Sequence, residues 1–238
     1  GNVAIGYSAL GALATSNSHY NIAIGHNAMV TAAGATHADN IAIGQAALDA
    51  TGANAQTGTI AIGKSALGAL TDGAGNTAIG YKALYSNETS DHNTAVGTLC
   101  CEDLTGTGNT AMGRETMLNA TSADYNVVIG RNACGSGTLT GNNSVVIGTD
   151  AANSMTGGNQ NVIIGSDAGH ATTSTTNSAS CILIGFQAHG SGVDVNTEIL
   201  IGVNNLAAGG TETARIGVNT DYITNDFGEN ATWTHSSD

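Results

Sequence analysis

The chain of 238 residues contains no proline, one tryptophan and only 4% aromatic residues. A single thick core built from large side chains is therefore excluded. The apolar content is carried by Ala, Ile, Val and Leu, which suits a thin core, one small layer deep and repeated many times. Positive charge is equally scarce: five Lys and Arg against eighteen Asp and Glu give a formal net charge of −13. Without a basic face, nucleic-acid binding and attraction to an anionic membrane surface are excluded. No apolar run is long enough to cross a bilayer, so membrane insertion is not expected. The acidic residues are scattered with no run of like charge, a pattern that keeps a long surface soluble. The four cysteines, Cys100, Cys101, Cys134 and Cys181, form no CxxC pair, which removes the usual spacing for zinc or thioredoxin-type chemistry. No cofactor and no metal site is expected.

What is present is a repeat. The pentapeptide NIAIG (Asn21 to Gly25) recurs along the chain, its closing glycine standing at Gly6, Gly25, Gly44, Gly63, Gly80, Gly97, Gly113, Gly130, Gly148, Gly165, Gly185, Gly202 and Gly217. These thirteen copies are spaced 15 to 20 residues apart, a regularity that means a stack of structural units. Gly1-Asn2-Val3-Ala4-Ile5-Gly6 already lies inside a repeat, and the chain reads as a fragment or processed product. Cys101 and Cys134 share one repeat position two units apart. At ~4.8 Å per unit they are about 10 Å apart, beyond the roughly 7 Å a disulfide spans, so they are expected to be buried thiols.

With the closing Gly as position zero, −1 is Ile in eleven copies, with Val96 and Met112 as exceptions, and −3 is mostly β-branched. This short alternation predicts a β-strand whose −3 and −1 side chains face the coil interior. Asn usually stands at −4, where it suits a turn. The zero Gly predicts positive φ or a close backbone approach. A run such as Lys64-Ser65-Ala66-Leu67 reads as a second short strand, followed by a polar loop of variable length. Position −2 would then face outward, yet it is apolar from Ala4 to Leu200 before ending at Arg215. An outward apolar column predicts a covering surface, most simply another copy of the chain. Position +4 varies inversely: it is Leu67 where −2 is Ala61, and Gly169 where −2 is Ile163. Near-constant summed volume predicts that −2 and +4 meet, within one chain or across an interface.

After Gly217 the spacing ends and Tyr222, Phe227 and Trp233 cluster, which predicts a cap or linker over residues 218–238. Carboxylate pairs that could serve glycan hydrolysis are Glu102 with Asp103, Glu88 with Asp91, and Asp150 with Asp167, all expected to be solvated. His19, His26, His37 and His92 read as surface residues in loops or at strand ends. His189 reads as an interior residue, and no His-x-His pair occurs. Asn-x-Ser/Thr triplets begin at Asn87, Asn119, Asn142 and Asn230.

NVAIG, NIAIG and NSVVIG (Asn143 to Gly148) resemble the head repeats of trimeric autotransporter adhesins. Longer forms such as GNTAIGYKAL (Gly75 to Leu84) are similar to repeats of bacteriophage tail fibres. The resemblance covers residues 1–217 and implies a homotrimer of left-handed parallel β-rolls, although the loops here are longer and more variable than in the adhesins. The closing Thr232-Trp233-Thr234-His235-Ser236-Ser237-Asp238 resembles the boundary of the self-cleaving intramolecular chaperone of endosialidase-type phage fibres. That resemblance makes Ser237 the autocleavage serine; the Lys that would complete the dyad is absent from this sequence.

The expected protein is all-β, a parallel β-solenoid over residues 1–217 assembled as a homotrimeric rod. Its expected role is structural and non-enzymatic: an extracellular virion tail-fibre shaft, joined to an upstream fibre segment, whose variable loops would contact a host glycan or protein receptor. No catalytic residue is expected in the mature chain. The alternatives are a bacterial adhesin head and a polysaccharide-degrading tailspike.

Overall fold

The computed structural model describes residues 1–11, 18–30, 36–50, 56–169, 179–189, 197–204, 213–218, 221–226 and 234–235. The chain is an all-β parallel solenoid. Thirteen strands, one per repeat from Val3–Ile5 to Thr213–Val218, follow each other in chain order within one sheet. Register never slips: Val3, Ala4 and Ile5 pair with Ile22, Ala23 and Ile24, and the same offset recurs up the stack. Thirteen strands at ~4.8 Å give a ladder of roughly 60 Å. A second, two-stranded parallel sheet pairs His37–Ala38 with Gln56–Thr57. At the far end the chain reverses: Asp221–Asp226 pairs antiparallel with Thr213–Val218, and Thr234–His235 pairs antiparallel with Asp221–Asp226. Phe227 and Trp233 lie outside the described residues, as does the side chain of Tyr222.

The strand faces are the reverse of the sequence expectation. Position −2 points into the coil: Ala23, Ala42, Ala61, Ala78, Ala95, Ala111, Val128 and Val146 are all 0% exposed. The −3 and −1 residues point outward, half-buried or exposed, as in the Ile22–Ile24 and Ile60–Ile62 strands; Ala214 in the last strand of the stack is the buried exception. The physical reason is size. The interior of one coil is narrow, so it takes Ala or Val from the strand and one larger residue from the turn opposite. The opposite orientation would put two side chains, the mostly β-branched −3 and −1 pair, into a space that now holds the single −2 side chain, so that pair stands on the outer side. The −2 and +4 side chains do share one space, and they share it within the chain.

The Lys64-Ser65-Ala66-Leu67 segment and its equivalents are turns, not second strands. The +2 and +4 residues are left-handed, with φ of 56° at Ser65 and 49° at Leu67, and both signs alternate along the segment in most coils. Such backbone costs roughly 1–2 kcal/mol per non-glycine residue. Two effects offset it. The turn remains laddered: Ser65 N donates to Gln45 O at 2.9 Å in the preceding coil, and Leu67 N to Ala83 O at 3.0 Å in the next. The +4 side chain is also fully buried, as at Met29, Leu48, Leu67 and Leu84, and burying such a group stabilises by about 1.5–3 kcal/mol.

The closing glycines meet both expectations at once. At Gly44, φ is +133° and a Cβ would stand 2.6 Å from the carbonyl oxygen of Gly63 in the next coil. Only a residue without Cβ lets successive coils approach this closely.

Asparagine at −4 has a different role from the turn residue expected. The left-handed residue is the one before it, such as Tyr20, His92 or Tyr125. The Asn side chains instead form a buried spine between coils. Asn21 Oδ1 accepts Asn40 N and Asn40 Nδ2, both at 3.1 Å, while Asn21 Nδ2 donates to His37 O at 2.7 Å. The pattern repeats at Asn93, Asn109 and Asn126. Every amide in such a spine satisfies neighbours that burial has cut off from water, so the polar column is compatible with an apolar core.

Candidate functional site

The outward face of the sheet is the most unusual surface of the molecule. Its −3 and −1 columns hold 26 side chains, and none is charged in a chain of net charge −13. Exposure is high for apolar residues: Ile5 57%, Met112 47%, Ile216 40% and Ile79 37%. The columns run continuously over all thirteen strands because the register is fixed. A monomer in water gains nothing from such a stripe, and apolar patches beyond a few hundred Å² mark interaction sites. The outward apolar column expected at −2 thus lies at −3 and −1.

Beside this face, the +1 and +2 positions of the turns carry four of the five basic residues: Lys64, Lys82, Arg114 and Arg131. Three of them are paired. Lys82 Nζ lies 2.7 Å from Glu102 Oε1, Arg114 Nη1 2.8 Å from Glu115 Oε1, and Arg131 Nη2 2.6 Å from Asp150 Oδ2. The Glu102 hydrogen bond holds the Lys82 ammonium above its usual range. Lys82 Nζ also sits 4.8 Å from the Tyr85 ring centroid, in reach of a cation–π contact. The Lys82 and Arg131 pairs link adjacent coils, whereas Arg114 pairs with its own sequence neighbour; all three lie along a solvated edge, where ion pairs add little to stability.

Apart from Glu88, the carboxylates named from sequence each have a hydrogen-bond partner of their own. Glu102 holds Lys82, while Asp103 accepts the Ser86 hydroxyl at 3.1 Å. Asp91 accepts Ala74 N at 2.6 Å, and Glu88 is exposed, its carbonyl bonding Thr71. Asp150 takes both Arg131 and Asn132. Of the triplet asparagines, Asn87 is buried with its Oδ1 on Ser90 N, and Asn142 Oδ1 accepts Asp124 N. Asn119 Nδ2 donates to Gly135 O at 2.8 Å, and Asn230 lies outside the described residues.

The histidines are dispersed. His26 stacks on Tyr7 with ring centroids 5.2 Å apart, and His19 meets Tyr20 edge-on at 4.7 Å. His92 packs over Gly75. His189 is half-buried, with Nε2 3.0 Å from Asp167 O. His37 corrects the expectation of a surface residue: it is 1% exposed in the small second sheet, and neither ring nitrogen has a hydrogen-bond partner. Burial pushes its pKa down. Among the described residues no group of three His, Cys, Asp or Glu could hold a metal ion.

None of the four cysteines is in a disulfide and all are buried, as the repeat spacing implies for Cys101 and Cys134. Cys100 and Cys101 Sγ atoms touch at 4.0 Å. Burial pushes the Cys134 thiol up to about 12, which leaves it protonated and unreactive at neutral pH. Among the described residues no helix is long and apolar enough to cross a membrane. Ser237 lies outside the described residues. Compared with protein-family models, curated proteins and solved structures, the chain finds no match.

Proposed function

We propose that the chain is a structural, non-enzymatic fibre shaft: a segment of a phage tail fibre or a similar extracellular appendage. Three copies pack side by side through the −3 and −1 columns, and the variable loops contact a host-surface glycan or protein receptor. The observation that carries this reading is the uncharged outward face, which extends over every strand of a ladder with constant register. Thirteen strands by about three residues give a strip of roughly 60 Å by 7 Å. Packing through this face brings apolar side chains out of water without burying a charge. Loops are the natural receptor contacts because they vary in length and sequence on a rigid support.

Sedimentation equilibrium tests the assembly. Wild-type chain is expected to sediment as a trimer and Ile79→Asp as a folded monomer, because a charge in the seam would be desolvated without a partner. Ala78→Asp puts its charge inside the coil and is expected to unfold it. A wild-type monomer overturns the assembly. Release of oligosaccharides from bacterial capsule or lipopolysaccharide overturns the non-enzymatic reading.

A further inference from the structure

We infer that Thr77, Thr94 and Thr110 fix the axial register between copies of the chain, an inference that rests on the side-by-side assembly proposed above. The −3 column is Val or Ile in nine of its thirteen places and Ala214 in one. The remaining three are these threonines, in three consecutive strands at the middle of the stack. Thr77 pairs with Thr94 and Thr94 with Thr110, so the hydroxyls form one short outward block. All three are half-buried, and none of their hydroxyls makes a hydrogen bond within the chain.

The partner that fits this face is another copy. The face repeats at one coil spacing, so only a ladder with the same spacing matches it along its whole length. That match creates a difficulty. Columns of near-identical Ile and Val fit equally well after a slip of one coil. A polar block removes the degeneracy. In register, the threonines of neighbouring copies face each other at three levels and can exchange hydrogen bonds. After a slip of one coil, a Thr hydroxyl faces Ile60 or Val127 and loses its partner. Removing a buried hydroxyl's partner is costly in a dry apolar seam. A single polar residue in a coiled-coil seam selects register by the same physics.

Cross-linking tests this in the full chain. One preparation carries Val96→Cys and another Met112→Cys; these −1 positions are one coil apart on the outward face. The two are mixed, assembled and oxidised, and the disulfides are identified by mass spectrometry. In register, bonds form between like positions, because an offset of one coil moves the pair beyond disulfide reach. Mixed Val96→Cys to Met112→Cys bonds are expected at under a tenth of the total. In the background Thr77→Val/Thr94→Val/Thr110→Val, which keeps the shape and deletes only the hydroxyls, mixed bonds are expected to rise at least about fivefold. An unchanged pattern in the triple variant overturns the inference while leaving the assembly standing. A triple variant that no longer assembles overturns it too, since the hydroxyls would then drive association and not select register. Wild-type chain that sediments as a monomer and forms no cross-links removes the assembly itself, and the inference with it.

Discussion

Ile163 and Gly169 occupy a single space. A Cβ at Gly169 would stand 3.2 Å from both Cδ1 and Cγ2 of Ile163, and 3.6 Å from Leu183 Cδ1 in the next coil. In the coil of Ala61 the same space is filled from the other side by Leu67. The backbone is equivalent, with φ of 64° at Gly169 and 49° at Leu67. Volume is conserved between strand and turn, and the core is close-packed whichever side supplies the atoms.

This relationship predicts strong coupling. Ile163→Ala should destabilise by about 2–5 kcal/mol through the cavity it leaves. Gly169→Leu should destabilise by about 1–3 kcal/mol through overpacking. The double variant recreates the Ala61 and Leu67 arrangement and should lose clearly less than the sum, by about 1–3 kcal/mol. Urea denaturation of the four proteins checks this. Additive losses would mean that the two positions do not share the space.

The asparagine spine has a gap at Thr59. Thr59 N still donates to Asn40 Oδ1 at 2.9 Å, but Thr59 Oγ1 is buried without a partner. Thr59→Asn would supply an Oδ1 toward Asn76 N and an Nδ2 toward the Gly73 carbonyl, matching the contacts of Asn40 and Asn21. Each net hydrogen bond contributes about 0.5–1.5 kcal/mol, so the variant is expected to be more stable by about 1 kcal/mol. A lower urea midpoint would mean that the larger side chain does not fit the spine.

The fold class was legible because one residue type, glycine, returned at a fixed place and the strand residues kept step with it. The direction of the strand was not. All three residues of Ile60-Ala61-Ile62 are apolar, so hydrophobicity does not say which face is the core. Volume does: beside Leu67 the coil has room for Ala61, but not for Ile60 and Ile62 together. The inverse trend between Ile163 and Gly169 was the readable sign that −2 belongs inside with +4. The turn was misread because Leu67 and Met29 are not residues that favour positive φ; the better sign was Asn27, Asn132, Asp150 and Asp167 at +2. The buried site of His37 was hidden by loops of unequal length. Counted backward from Gly44, His37 falls in the same inward column as Ser18 and Ser90, which are buried as well.

His37 makes stability sensitive to acid. Its pKa is lowered by burial, so below the unfolded value near 6.5 the unfolded chain binds a proton that the folded chain resists. The unfolded state then holds more protons, and stability falls as pH falls through that range. His37→Gln places at this position the residue that Gln56 supplies in the next coil, and it has no titrating group. Urea midpoints between pH 7.5 and pH 5 should fall less for His37→Gln than for wild type. Parallel curves would show that the ring is not the source.

Cys134 gives the opposite dependence at alkaline pH. Burial raises its pKa from 9.0 to about 12. Between those values the unfolded thiol ionises while the folded one stays protonated, so the unfolded state binds fewer protons and stability falls as pH rises. Each unit of separation corresponds to about 1.4 kcal/mol, so at pH 10.5 this thiol alone should lower stability by roughly 2 kcal/mol relative to pH 8. Cys101, also held above its ordinary value by Cys100 and by burial, acts in the same direction. Cys134→Ala leaves a small cavity that lowers stability at neutral pH, but it removes one titrating group. The stability advantage of wild type over the variant is therefore expected to shrink between pH 8 and pH 10.5, because every other titrating group is common to both proteins. A constant difference across that range would place the folded Cys134 thiol near its ordinary pKa and in contact with water.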